Sequence, residues 1–180
     1  RQRTPRPREQ QFWYRWSRAV QHRPWRAFLG GAAVLVVLAL PLFDIRLGFG
    51  DTGNLPAGYT ARRAYDMVSE GFGPGFNAPL LVVTDDPAAD PVGIDAVTAA
   101  LAADPGVAVP PVAQPLTDRI TIWTVFPTSS AQDEATTALV HRLRDDVLPT
   151  TGLDVKVGGF NAASVDFSSY LAGRLPYLIG

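Results

Sequence analysis

The chain of 180 residues contains no cysteine, which excludes disulfide bonds, thiolate nucleophiles and zinc sites built on thiolates. Its 16 basic and 17 acidic residues nearly cancel, but residues 1–43 carry eight arginines and one acid, whereas residues 44–180 carry eight basic and sixteen acidic groups. This asymmetry predicts that the two parts of the chain lie on opposite sides of a membrane.

The first part of the chain combines arginine with aromatic side chains. Residues 1–10 are polar and interrupted by proline, which predicts a disordered cytoplasmic linker. Residues 11–24 interleave aromatic residues with arginines, and this mixture is typical of an amphipathic segment lying at a membrane surface. A nucleic-acid-binding arm is the alternative, but the interleaved aromatic rings suit a headgroup layer better. We therefore expect no nucleic-acid partner.

An uncharged run of 17 residues, Ala27 to Phe43, is the strongest local signal. At ~1.5 Å per residue this run spans about 25 Å, and extending it over 25–47 reaches the roughly 30 Å of a hydrocarbon core. A cleaved signal peptide would need a small-x-small cleavage pattern, which does not follow this run. A buried core helix would show a polar stripe, whereas this run is apolar all round. The run therefore predicts a transmembrane helix over 25–47. The positive-inside rule then places the N-terminus in the cytoplasm and residues 48–171 outside the cell membrane.

Residues 48–160 predict an extracytoplasmic α+β domain. After a loop, Thr60 is placed to cap a short helix that ends at a glycine-rich segment. From Pro79 the periodicity gives the order β-α-β-β-α-β, which is the ferredoxin-like arrangement, over residues 79–160. Its predicted elements are a strand Leu80–Thr84, a helix Val92–Ala103, a strand Val107–Val112, a strand Ile120–Phe126, a helix Ala131–Val147 capped by Ser130, and a strand Val155–Gly158.

The strand sequences predict their places in this sheet. The first and third strands are near-continuous apolar runs, which suits central positions, and Pro110 and Pro111 confine the second strand to an edge. The third strand is apolar on both faces, because Ile120 and Ile122 alternate with Trp123. Since the predicted helices cover one face, either the helix beginning at Thr60 or a neighbouring domain must cover the other.

Residues 161–180 predict a helix, capped by Asn161, that leads into the next transmembrane segment. Asp166 and Arg174 lie about 12 Å apart along the axis of this helix and cannot pair directly. We interpret them as interfacial charges above a membrane helix in preference to groups on a proton or substrate path. The chain begins without methionine and ends as apolar character returns, so we expect it to be a piece of a longer protein.

No constellation of catalytic or metal-binding residues emerges from the sequence. His22 and His141 are predicted on opposite sides of the membrane, so they cannot share a site. Neighbouring acids occur at the ends of predicted elements, where acids are common. The glycines of 71–75 follow no strand and precede no Lys-Ser/Thr pair, so they do not match a phosphate-binding loop. We expect no enzyme activity, no bound metal and no cofactor.

A series of short motifs points to a known family. In chain order they are Arg23-Pro24-Trp25, Arg46-Leu47-Gly48, Asp51-x-Gly53-x-Leu55-Pro56, Arg63-Ala64-Tyr65-Asp66, Gly71-Phe72-Gly73-Pro74-Gly75-Phe76-Asn77-x-Pro79-Leu80, Val157-Gly158-Gly159, Asn161-Ala162, Val165-Asp166-Phe167-Ser168 and Leu171-x-x-Arg174-Leu175-Pro176. Each motif is weak by itself, but in this order they resemble the MMPL family. These are large membrane transporters of the resistance-nodulation-division (RND) superfamily, common in actinobacteria.

The resemblance implies a place and a role for this chain. It would be the start of the second half of a transporter, with a porter domain between its seventh and eighth membrane helices. Members of the family use proton flow to export lipids or other hydrophobic molecules, and their proton-relay residues lie on later helices, outside this chain.

The porter domain would line the substrate path together with the other porter domain of the parent protein. The candidate path or hinge residues are Phe72, Gly73, Pro74, Gly75 and Phe76. A single-span membrane protein with an extracellular ferredoxin-like binding or sensor domain is the alternative. The residues leave the substrate and the oligomeric state open.

Overall fold

A computed structural model of the chain describes residues 12–41, 50–85 and 91–179. They fall into two compact units, one ending at Arg46 and the other beginning at Leu47. In chain order the helices and strands are α1 (Phe12–His22), α2 (Pro24–Ala39), α3 (Thr60–Phe72), β1 (Leu80–Asp85), α4 (Pro91–Ala103), β2 (Ala113–Pro115), β3 (Ile120–Val125), α5 (Glu134–Arg142), β4 (Val155–Gly158) and α6 (Phe160–Ile179).

The first unit consists of α1 and α2. The helices are separated at Arg23, and Pro24 opens α2, where its fixed φ suits the first turn and its missing N–H removes no helical hydrogen bond. No residue of α2 is buried. Among the described residues, no helix is both long enough and apolar enough to cross a membrane. The transmembrane helix predicted over 25–47 is therefore unconfirmed, and residues 1–11 and 42–47 lie outside the described ranges.

The second unit is built on a four-stranded antiparallel sheet with the strand order β2-β3-β1-β4. The prediction that the first and third strands are central is confirmed. Val82 of β1 pairs with Trp123 of β3 on one side and with Val157 of β4 on the other. These three side chains are buried in one core with Leu101 of α4 and Leu139 of α5. Trp123 also donates a hydrogen bond of 2.9 Å to the Thr98 hydroxyl.

The second strand lies further along the chain than the sequence predicts. It comprises the three residues Ala113–Pro115, not Val107–Val112. Pro110 and Pro111 have no N–H to donate, so a regular ladder does not run through them. Val107 forms only an isolated bridge with Pro127. The edge position is correct, but the predicted bounds are wrong.

Two predicted helix starts, those of α3 and α5, are also wrong. The N-cap of α3 is Tyr59, so Thr60 already lies within the helix. The helix predicted over Ala131–Val147 begins at Glu134, and its cap is Asp133, whose carboxylate accepts a 3.0 Å bond from the Ala135 N–H. Ser130 instead accepts a 2.7 Å bond from the Thr136 hydroxyl through its carbonyl. Short polar residues compete for such positions, and sequence alone does not rank them.

The end of α5 and the start of α6 differ from expectation as well. Helix α5 is followed by a π-helical turn, Leu143–Val147, and a 3-10 turn, Leu148–Thr151. The last helix, α6, starts at Phe160, so Asn161 is inside it and is not its cap. The Asn161 amide instead lies 3.4 Å from the Pro79 carbonyl, to which it donates.

The second face of the sheet remains partly open. Leu81 of β1 is 40% exposed, and Val83 and Ile122 on the same face are half-buried. Helix α3 packs against two short 3-10 turns, Thr52–Asn54 and Pro74–Asn77. The sequence predicts that either α3 or a neighbouring domain covers this face. Helix α3 leaves Leu81 exposed.

Candidate functional site

The candidate path residues form a sharp turn between α3 and β1. Gly73 ends the helix with φ of 106°, a conformation that L side chains rarely adopt, and its N–H donates a 3.0 Å bond to the Ser69 carbonyl. Gly75 is needed for a different reason. A Cβ placed there would lie 1.6 Å from the Pro127 carbonyl oxygen, so the two backbones can approach only without a side chain. Both glycines therefore determine the path of the turn.

Three phenylalanine rings line this turn. The Phe72 and Phe76 ring centroids are 5.4 Å apart, and the Phe76 ring stacks on Phe126 at 4.3 Å and 9°. Phe72 is 69% exposed, whereas Phe76 and Phe126 are half-buried. We call these three residues the phenylalanine stack. It links the end of α3 to the residue after β3 and presents one ring to the surroundings.

Asn77 fastens the turn to α3. Its amide donates to the Tyr65 carbonyl at 3.0 Å and to the Ser69 hydroxyl at 2.9 Å. The next residue, Ala78, is fully buried. These bonds fix the C-terminal end of the turn, while Phe72 at its beginning stays exposed. The role of Phe72 to Phe76 as a path or hinge stays a prediction.

The motif residues before and within α3 form a second cluster. One Asp51 carboxylate oxygen accepts from the Gly53 N–H at 2.7 Å, and the other accepts from the Tyr65 hydroxyl at 3.1 Å. Arg62 donates to the carbonyls of Gly53 and Leu55 and pairs with Asp66 at 2.8 Å. Burial and the nearby Asp51 carboxylate raise the pKa of Tyr65. These contacts hold the loop at residues 51–55 against α3. Arg62 belongs to the cluster but to none of the family motifs.

Asp166 and Arg174 do not pair, as predicted, and each has another partner. Asp166 forms two bonds with Arg144, at 2.5 and 3.0 Å, and Arg144 also donates to the Val157 carbonyl at 2.7 Å. Hydrogen bonding from Arg144 lowers the pKa of Asp166. The Arg174 guanidinium lies 4.2 Å from the Tyr170 ring centroid. Whether the two charges are interfacial stays a prediction.

A second ion pair joins the end of α4 to α5. Asp104, whose side chain is 2% exposed, accepts bonds of 2.8 and 2.6 Å from Arg142 and one of 2.8 Å from the Gly106 N–H. Hydrogen bonding from Arg142 holds the pKa of Asp104 below its usual value. The pair borders an open groove of about 410 Å³ with apolar walls. The buried Asp104 carboxylate is fully satisfied within the protein, so the role of the pair is structural.

The described residues offer little for bond-making chemistry. His141 is exposed on α5, and within residues 12–41, 50–85 and 91–179 no three His, Asp or Glu side chains are grouped to hold a metal ion. The arrangement that stands out is instead apolar, consisting of a partly open sheet face and the exposed end of the phenylalanine stack.

Comparison with known proteins finds relatives that are all much longer. No family model matches the chain. It is 32% identical over 165 residues to membrane protein YdfJ of Bacillus subtilis, covering 89% of the chain and 23% of that protein. It is 26% identical over 179 residues to the mycolic acid-containing lipids exporter MmpL11 of Mycolicibacterium smegmatis, covering 93% and 19%. The probable transport protein MmpL11 of Mycobacterium leprae is 29% identical over 79 residues, covering 42% and 8%. The chain thus spans less than a quarter of the length of these relatives.

Proposed function

The chain belongs to the MMPL family of membrane proteins, and from this premise we propose that it supplies one porter domain of a proton-driven exporter for lipids or other hydrophobic molecules. The observation that carries the proposal is the alignment with a lipid exporter over 93% of the chain. The resemblance of its motifs to the family supports the same interpretation. The proton-relay residues of such an exporter lie outside this chain.

The first unit supplies the membrane anchor in this proposal. Residues 25–47 cross the membrane, with the arginine-rich N-terminus in the cytoplasm and residues 48–171 outside. The large apolar side chains of α2 are all exposed, which suits contact with lipid chains. The excess of arginine before residue 44 and of acids after it supports this orientation.

The second unit supplies a passage and not a reaction centre. The partly open sheet face is apolar at Leu81, Val83 and Ile122, and Lys156 and Gln114 lie beside them on the same face. It is the surface on which the other porter domain of the parent protein would pack. The phenylalanine stack lies beside the turn at the end of α3, with the exposed Phe72 ring placed to contact an apolar molecule. Apolar contacts of this kind bind hydrophobic molecules without fixing one chemical structure.

Export by the full-length parent protein tests this proposal. Cells that depend on this protein would be fed radiolabelled acetate, and labelled lipid at the cell surface would be compared with lipid inside the cell. Phe72→Ala is expected to lower the surface fraction severalfold, because it removes the exposed ring of the stack. Met67→Ala on α3 is a matched control, because Met67 is equally exposed and lies outside the stack. A protonophore should abolish export.

Two results would contradict the proposal. Export that persists without a proton gradient would exclude proton drive. An unchanged surface fraction in the complete absence of the protein would favour the alternative, a single-span sensor with a ferredoxin-like binding domain.

A further inference from the structure

Helix α1 carries an exposed apolar sector that nothing in the proposed export path uses. At 100° per residue, Phe12, Trp13, Trp16 and Val20 fall within a sector about 100° wide. The three aromatic side chains are 56 to 71% exposed. They contact one another edge to face, with centroid distances of 5.6 Å for Phe12 and Trp13 and 6.1 Å for Trp13 and Trp16. The helix thus presents a continuous aromatic surface.

Positive charge surrounds this sector. Arg15 and Arg18 lie on the remaining face of α1, and Arg23 and Arg26 follow at the start of α2. Arg15, Arg23 and Arg26 are exposed. Residues 12–41 contain no aspartate or glutamate, so no acid within this stretch compensates the four charges.

We propose that α1 is a binding surface for anionic phospholipids at the cytoplasmic face of the membrane, with its aromatic sector among the acyl chains and its arginines on the lipid phosphates. This inference rests on the proposed function, because it requires the first unit to be held at a membrane.

The combination of the two surfaces selects this partner over others. Aromatic side chains gain free energy from an apolar phase, which a nucleic acid offers only between its bases. A zwitterionic membrane would accept the rings but attract the four arginines weakly, because its surface carries no net charge. Anionic phospholipid satisfies both, since each arginine near such a surface contributes to binding.

Paired spin labels on consecutive residues test the orientation of α1. Because the chain has no cysteine, Val20→Cys in the sector and Gln21→Cys outside it can each be labelled singly with a nitroxide. The full chain would be placed in nanodiscs of phosphatidylcholine alone or with phosphatidylglycerol. In discs with phosphatidylglycerol, oxygen should reach the label at 20 better than a water-soluble nickel chelate does, and the label at 21 should show the reverse. Equal accessibility at both positions in these discs would overturn the proposal.

The arginines are tested with a charge variant and a control. With Arg15→Gln and Arg18→Gln combined, we expect a severalfold higher phosphatidylglycerol content to be needed before residue 20 enters the bilayer. Arg63→Gln, at an exposed position of α3, should not change this content. High salt should weaken the effect, because it screens surface charge. If the difference in accessibility between residues 20 and 21 is as large in discs of pure phosphatidylcholine as in discs with phosphatidylglycerol, the selectivity for anionic lipid is contradicted. Release of residue 20 from the bilayer by added RNA would overturn it too, in favour of a nucleic-acid partner.

This experiment involves no transport, so its failure is distinguishable from that of the proposed function. Loss of the accessibility pattern with intact lipid export would contradict this inference alone. A chain that does not enter nanodiscs of either composition would contradict the membrane anchor of the proposed function.

Discussion

Arg144 and Asp166 join the sheet domain to its last helix through two hydrogen bonds of 2.5 and 3.0 Å. Arg144 follows α5 and Asp166 lies on α6, and the same guanidinium holds the carbonyl of Val157 in β4 at 2.7 Å. Together with Ala162 and Val165, which are buried in the core, this side chain holds α6 against the domain. If α6 continues into a membrane, as the sequence predicts, this contact ties that membrane segment to the domain.

Replacing Arg144 by alanine should destabilise the second unit and loosen α6. Because Asp166 is half-exposed, solvent weakens the ion pair itself, and we expect a loss of about 1 to 2 kcal/mol including the bond to Val157. Chemical denaturation followed by the near-ultraviolet circular dichroism of the buried Trp123 would measure this loss. Lys156→Ala is the control, because its pair with Asp154 is exposed on both sides and should contribute little. Equal effects of the two substitutions would contradict the anchoring role.

The buried carboxylate of Asp104 predicts a larger effect at Arg142. Arg142→Ala would leave this carboxylate buried without its cation, and we expect a cost of about 2 to 3 kcal/mol, below that of a fully buried pair because Arg142 is partly exposed. Arg119→Ala, which breaks an exposed pair with Asp85, is the control. If both variants unfold at the same denaturant concentration, the pair does not stabilise the fold.

Acid should unfold the domain through the same two carboxylates. The pKa values of Asp104 and Asp166 are lowered in the folded chain from an ordinary value of 3.8. Their contribution is therefore complete above pH 3.8 and is lost as the pH falls through the lowered values. A titration of unfolding free energy from neutral to acidic pH should show a decline that Arg142→Ala reduces. A decline of unchanged size in that variant would show that other groups cause it.

Alanine substitution of Gly71, near the end of α3, and of Gly75, in the turn after it, should change the stability of the domain in opposite directions. Gly75→Ala forces a Cβ onto the Pro127 carbonyl, so the backbone must separate, and we expect a loss of about 3 kcal/mol or more. Gly71 lies near the end of α3, and no atom is within 4 Å of the position that a Cβ would take. Alanine there should stabilise the domain by about 0.5 to 1 kcal/mol. Thermal unfolding of the two variants measures both signs. A tolerated Gly75→Ala would contradict the close approach to Pro127.

Topology can be tested directly because the chain has no cysteine. Cysteine at Thr52 or Asp118, both exposed, should react with an impermeant maleimide on intact cells. Cysteine at Arg15 should react only after permeabilisation, since α1 is proposed to be cytoplasmic. The reverse pattern would place the arginine-rich end outside.

The sheet could be predicted from the sequence because its signals are local. Apolar runs mark β1 and β3, Val155–Gly158 matches β4 in both bounds, and the two prolines correctly confine the second strand to an edge. The predicted bounds of β2 are wrong because the two prolines show where a ladder is interrupted but not where it resumes. The sequence does not show that Ala78 and Ala162 are fully buried, so a bulky side chain at either position should destabilise the domain.

The contacts around the candidate site depend on residues far apart in the chain. Arg144 and Asp166 are separated by 22 positions and Arg142 and Asp104 by 38, so no helical spacing rule relates them. Phe126 joins the phenylalanine stack only because β3 ends beside the turn at Gly75. The motifs place Phe72 to Phe76 in one series, and their role as a path or hinge stays a prediction. The contact of Phe76 with Phe126 depends on the fold.

Site-specific crosslinking in the full-length parent protein tests whether lipid passes along this domain. A photoreactive phenylalanine analogue at position 72, in the exposed ring of the phenylalanine stack, would be illuminated in cells fed radiolabelled acetate. We expect labelled lipid on position 72 and little on position 138, where Ala138 is an exposed residue of α5 that does not belong to the stack. Equal labelling at both positions, or none at position 72 while export proceeds, would contradict a lipid path along this domain.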